Sequence, residues 1–387
     1  METNSVNAQG DNQLNTKMKS KRNANIELLR IISMMMVITL HGLDKGDALV
    51  TMFGESGTAV CAWVIESFCI MAVNIYMLIS GYFLVKCEFK SGRIIELMLQ
   101  TLFYTFGIVM LLSVTGNLAI GSLSRYEWIQ IIFPFHMGQY WFVSSYIIMY
   151  LFAPILAKAA NNMTKKQLGL IILMLLAYES VVKSVLPIGM ERDEKGYSAV
   201  WFMLVFLIAA YIRLYGIKLI KKPIAGLALY VVCVVAIFFE NYYLQYRYSL
   251  AESFSYIQGI SYHYNHILVI LAAVGIFAFF LYSKPIEGVI AKLICFISPM
   301  SFGVYLAHEQ IKVRFLWPEW LGIKDAVKAD WSALLIKVVL AVLVVYIVGS
   351  VIDFIRIQIF KVGKFVVRRT PISTLLSYVD KMANGKV

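Results

Sequence analysis

The chain has 387 residues, 60% of them hydrophobic and only 15% charged, with a net charge of +12. A soluble globule of this length cannot bury so much apolar surface, so the composition specifies an all-α polytopic membrane protein. The basic excess is scattered through short loops between apolar runs, the pattern of a topology signal, which argues against nucleic-acid binding.

Residues 1–25 are polar and rich in Asn, Gln and Lys, which predicts a disordered cytoplasmic segment without a cleavable signal peptide. The first apolar run, 26–43, then serves as an uncleaved signal anchor. It carries three ionisable groups, Glu27, Arg30 and His41, and hydrocarbon makes each of them costly. Arg30 and His41 are eleven residues apart, so at about 100° per residue they return to one face. Along the axis they are separated by roughly 16 Å. Glu27 precedes Arg30 by three positions and shares its surface.

Nine further spans follow, at about 60–85, 94–118, 139–157, 168–186, 200–217, 224–239, 267–282, 293–311 and 333–352. The stretch 128–142 is apolar but broken by Pro134 and Gly138, and reads as interfacial or re-entrant. Alternate loops differ in charge: Lys86, Lys90 and Arg93 face Asp44, Asp47 and Glu55 on the other side. The same alternation along the chain places both termini in the cytoplasm of a multi-pass protein of the cytoplasmic membrane. The expected organisation is therefore 1–25 as a cytoplasmic segment, 26–355 as a membrane domain of about ten transmembrane helices, and 356–387 as a basic cytoplasmic tail beginning at Arg356. The loop 241–265 collects seven tyrosines, either a sugar platform or an interfacial aromatic cluster. Five cysteines lie mostly in apolar runs without paired spacing, which suits packing better than disulfides or zinc.

Several stretches carry a resemblance. One is Glu27-Leu28-Leu29-Arg30 and then, with ten residues between, His41; a second is Leu78-Ile79-Ser80-Gly81-Tyr82-Phe83 with Lys90 and Arg93 after it. A third is Ser301-Phe302-Gly303-Val304-Tyr305-Leu306-Ala307-His308, and Gln139-Tyr140-Trp141-Phe142 adds to them. In order and on these spans, they resemble membrane acyltransferase family three, ten-span proteins that acylate cell-envelope sugars and lipids. Many members have two arginines three apart after the second span, where this chain has Lys90 and Arg93. Lysine supplies charge but not a planar fork. Many also carry an extracytoplasmic hydrolase-like domain after the last span. About 35 residues follow that point here, so the chain is expected to act alone or to pass the acyl group to a separate extracytoplasmic protein.

The resemblance implies an O-acyltransferase moving an acyl group, acetyl above all, from cytoplasmic acyl-CoA to a hydroxyl of an envelope polysaccharide or lipid-linked sugar. It implies that His41 is the general base, that Arg30 holds the donor with Glu27 orienting it, and that Arg93 and Lys90 bind CoA phosphates. Trp141 and Tyr140 would stack on the acceptor sugar, and His308 would share the site or position the acceptor. Each residue also has a plainer reading: an interfacial histidine for His41, snorkelling for Arg30, topology charge for Arg93, an aromatic belt for Tyr140 and Trp141, a buried structural histidine for His308. No metal is expected, since His263 and His266 lack a third ligand. The rival class is a transporter of a small amino acid or lipid-linked sugar, disfavoured because no paired, symmetrically broken spans are found.

Overall fold

The structure, a computed structural model, describes residues 22–49, 56–186, 193–217, 220–248, 259–367 and 371–386. All regular secondary structure among them is helical. In chain order these are α1 (Ala24–Lys45), α2 (Gly57–Cys69), α3 (Ala72–Leu84), α4 (Ser91–Val114), α5 (Arg125–Ile132) and α6 (Trp141–Asn162). Then come α7 (Lys165–Leu176), α8 (Val182–Val185), α9 (Ala199–Tyr215), α10 (Pro223–Tyr248), α11 (Ile267–Tyr282) and α12 (Gly288–Ile297). The last are α13 (Ser301–His308), α14 (Trp317–Trp320), α15 (Ile323–Ala329), α16 (Trp331–Val367) and α17 (Pro371–Ala383).

Among the described residues, nine helical stretches are long and apolar enough to cross a bilayer; α2 with α3, α7 with α8, and α12 with α13 each form one of them. The apolar α9 of 17 residues falls on the sixth predicted span, so each predicted span has its helix. The predicted disorder of 1–25 lies largely outside the described residues, but its end is ordered: Asn23 caps α1, its side chain accepting from the backbone of Asn25 and Ile26.

Two helices run further than the predicted spans. α16 continues past 352 for a total of 37 residues, and Arg356 is 5% exposed inside it. Arg356 donates from Nε and Nη2 to the two oxygens of fully buried Asp353 (2.8 and 2.9 Å), so the buried carboxylate has its counter-charge on the same helix. The tyrosine-rich loop also begins later than expected, because α10 continues to Tyr248 and carries Tyr242, Tyr243 and Tyr246 on helix. Tyr262 and Tyr264 pack inward, and Tyr256 lies outside the described residues.

The bundle is built around α1, which touches α2, α3, α11, α12, α13 and α16. Ile26, Leu29, Ile38 and Leu43 are fully buried there. Close approach depends on the motif glycines: a Cβ on Gly81 would lie 2.9 Å from the backbone of Phe206 on α9. The outer face of α16 exposes Ile336, Leu340, Val344 and Ile347, an apolar surface suited to lipid. Hydrogen bonds join ends that the charge pattern assigns to one side: Lys86 to Asn161, Arg213 to Tyr82, and Asn25 to the carbonyls of Ser283 and Lys284. On that same side α17 docks on the start of α4. Asp380 accepts from the amide and hydroxyl of Ser91 (2.7 and 2.6 Å), and Asn384 pairs with the backbone of Phe89 in both directions.

Candidate active site

Because α1 is central and continuous, it delivers Arg30 and His41 to two levels of the same interior. At the Arg30 level, Arg30 Nη1 donates to Glu27 Oε2 (2.5 Å) and Arg22 Nε to Glu27 Oε1 (2.9 Å). The Ser298 hydroxyl donates to the same carboxylate, and Tyr76 donates to the backbone carbonyl of Arg30 (3.0 Å). Glu27 is 5% exposed and pairs with two guanidinium groups.

At the other level, His41 Nδ1 lies 2.9 Å from His308 Nε2 and 3.0 Å from Glu309 Oε2. Lys45, one turn beyond His41, donates to Glu309 (2.7 Å), and Arg314 approaches its other oxygen (3.4 Å). His41 also lines a cavity of about 30 Å³, roughly one water, walled by Val73, Tyr76, Trp141, Phe142, Phe302 and Tyr305. A basic nitrogen inside an apolar, aromatic wall suits proton transfer with water kept out. His41, His308 and Glu309 lie close enough to face a single metal ion. Lys45 and Arg314 already compensate the Glu309 charge, however, and a divalent cation there would meet two cations at short range.

Arg93 lines a separate cavity of about 220 Å³ with Glu96, Gln100, Tyr146 and Tyr150. The side chain of Lys90 is exposed, while its backbone exchanges hydrogen bonds with the Tyr150 hydroxyl (3.2 Å each way). Along α6 the rings of Phe142, Tyr146 and Tyr150 stack in sequence, with centroids 6.0 and 6.2 Å apart. This stripe leads from the wall of the His41 cavity to the wall of the Arg93 cavity.

The sequence-predicted residues thus separate into groups. His41 and His308 meet; Glu27 and Arg30 meet; Arg93 lies apart, joined to His41 by the α6 rings. Trp141 lines the His41 cavity and stacks on Tyr264 (5.8 Å, 22°). Tyr140 does not present an open face: it is fully buried, and its hydroxyl donates to the Leu306 carbonyl (2.8 Å). Sequence reasoning missed Lys45, Glu309 and Arg314. Lys45 follows His41 by four positions and Glu309 follows His308 directly, so both were within reach of the helical period.

A helical membrane bundle with an arginine and a histidine pair held in its interior defines a multi-pass membrane protein equipped for chemistry. The chain belongs to acyltransferase family 3: a family model described as an acyltransferase domain matches residues 23–351. No curated protein and no solved structure matches it significantly.

Proposed function

We propose that this acyltransferase moves an acyl group, acetyl first among candidates, from acyl-CoA to a hydroxyl of a cell-envelope polysaccharide or lipid-linked sugar. The observation that carries the reading is the placement of His41, beside an acidic partner and in the wall of an apolar cavity, on the helix that also holds Arg30. In this mechanism His41 removes the hydroxyl proton as the oxygen attacks the thioester carbonyl. The new C–O bond forms, the C–S bond breaks, and the proton passes from His41 to the departing thiolate, giving an ester and free CoA.

Arg30 holds a polar part of the donor, with Glu27 orienting the guanidinium. Arg93 and Lys90 receive the CoA phosphates at the cytoplasmic side, and the Tyr150–Tyr146–Phe142 stripe lines the route of the pantetheine arm toward His41. Trp141, in the cavity wall, is the aromatic placed to meet the acceptor. The setting is the cytoplasmic membrane, with both chain ends on the donor side.

The test is mass spectrometry of envelope glycans from cells expressing the chain or His41→Ala at matched membrane levels. Acyl-ester mass increments present only with intact His41 support the enzyme. Identical glycans from both would overturn it in favour of the carrier.

A further inference from the structure

Two of the five histidines of the chain, 267 residues apart, place their ring nitrogens in contact, and the hydrogen bonds around them determine which nitrogens carry hydrogen. His308 Nδ1 lies 2.7 Å from the backbone carbonyl oxygen of Val304, one turn earlier on α13. A carbonyl oxygen only accepts, so this nitrogen is the donor. In the neutral ring Nε2 is then a lone pair, and it points at His41 Nδ1 from 2.9 Å. The other neighbour of His41 Nδ1 is Glu309 Oε2 at 3.0 Å, on a carboxylate paired with Lys45 and Arg314. Both groups facing Nδ1 are acceptors. Nδ1 therefore carries the hydrogen, and Nε2 of His41 is left bare.

We propose that His308, anchored through Val304, and Glu309 are positioning residues that hold His41 in the Nδ1–H tautomer, so that Nε2 is the nitrogen receiving the hydroxyl proton. The proposal rests on His41 being the base. It gives His308 a different task from contacting the acceptor: His308 acts through His41. When Nε2 takes up the proton, the Nδ1–H of His41 keeps its acceptors, His308 Nε2 and Glu309 Oε2, without rearrangement. Lys45 and Arg314, in turn, fix Glu309 in place. The rings are packed as well as bonded. Trp317 meets His308 edge-on (6.0 Å, 82°), and Tyr305 lies 6.3 Å from His41.

The experiment exploits the polarity of the contact. Full-length chain in its own membranes is supplied with radiolabelled acetyl-CoA, and label entering the glycan fraction gives kcat and the acetyl-CoA KM. His308→Gln places a carbonyl oxygen where Nε2 was and still accepts from His41; His308→Leu fills the space without an acceptor. The expected result is a kcat loss of about 10²-fold for His308→Leu with KM within about two-fold, and recovery to within about ten-fold of the parent for His308→Gln. Equal losses in the two variants, or an active His308→Leu protein, would overturn the positioning role. Should His308→Leu fail to accumulate, Glu309→Gln and Glu309→Asp serve instead. Loss of kcat only in the uncharged variant supports the proposal, and equal activity sinks it. His41→Ala keeps the two readings apart. If it remains active, the base assignment fails; if it is inactive while His308→Leu and Glu309→Gln work normally, only the positioning role fails.

Discussion

Gly303 lies directly against Asp353: a Cβ built on it would sit 2.0 Å from Asp353 Oδ1 and 2.5 Å from the Tyr104 hydroxyl. The glycine of the Ser301-Phe302-Gly303 stretch therefore makes room for a buried carboxylate on α16. Asp353 fills that room with four hydrogen bonds, two from Arg356, one from Tyr104 (2.8 Å) and one from Gln100 (3.2 Å).

Gly303→Ala is expected to destabilise the bundle by about 2 kcal/mol or more, since overpacking here displaces a hydrogen-bonded charge rather than a flexible side chain. The check is the thermal midpoint in detergent. An unchanged midpoint would contradict the tight fit.

Asp353→Ala leaves the Arg356 guanidinium buried and alone, at a cost of about 3–5 kcal/mol. Removing both charges with Asp353→Leu and Arg356→Leu is expected to recover most of that loss. The pair of midpoints decides it: a double variant as unstable as the single one would mean that the carboxylate serves something besides Arg356. Gln100 also lines the Arg93 cavity, so the single variant is expected to disturb that wall as well.

Arg30→Lys is expected to raise the KM for acyl-CoA by about ten-fold with a smaller change in kcat. Among the described residues, the hydrogen bonds of Arg30 all leave from Nη1, toward Glu27 and Ser298. A guanidinium has further donors for a ligand, while an ammonium is a single point that Glu27 would capture. Steady-state kinetics with acetyl-CoA as the varied substrate gives the answer, and an unchanged KM would remove Arg30 from donor binding.

The contact between α5 and the segment after α13 is expected to loosen only in strong acid. Lys312, donating to Glu127, and Ser124, capping α5, hold the Glu127 carboxyl well below its usual range, at about 2. An acid depressed in this way contributes fully above its unfolded value of 4.5, and the contribution fades as pH falls toward about 2. The protection factors of α5 amides against hydrogen exchange should be flat from pH 8 to 5 and should fall, relative to an unpaired Lys312→Ala control, on approach to pH 3.

The spacing of Arg30 and His41 was legible because a helix has one period, and a central helix turns that period into a shared interior face. The meeting of His41 with His308 was legible in depth but not in contact, since depth comes from the spans and contact from their packing. Charge normally ends a membrane span, and the pairing of Arg356 with Asp353 three positions earlier, inside the helix, was not foreseen. Tyr140 misled similarly: an aromatic near a span end suggests the interface, and only the carbonyl of Leu306 reveals that its hydroxyl is already engaged. Arg314 had no periodic signal, because it reaches Glu309 from a turn between helices.

The docking of α17 has a practical consequence. Asp380 and Asn384 clamp the turn from Phe89 to Ser91, two residues from Arg93, so a reporter or affinity handle joined after the last helix hangs from the same turn. Quantitative kinetics are therefore better measured with handles placed at the other end of the chain.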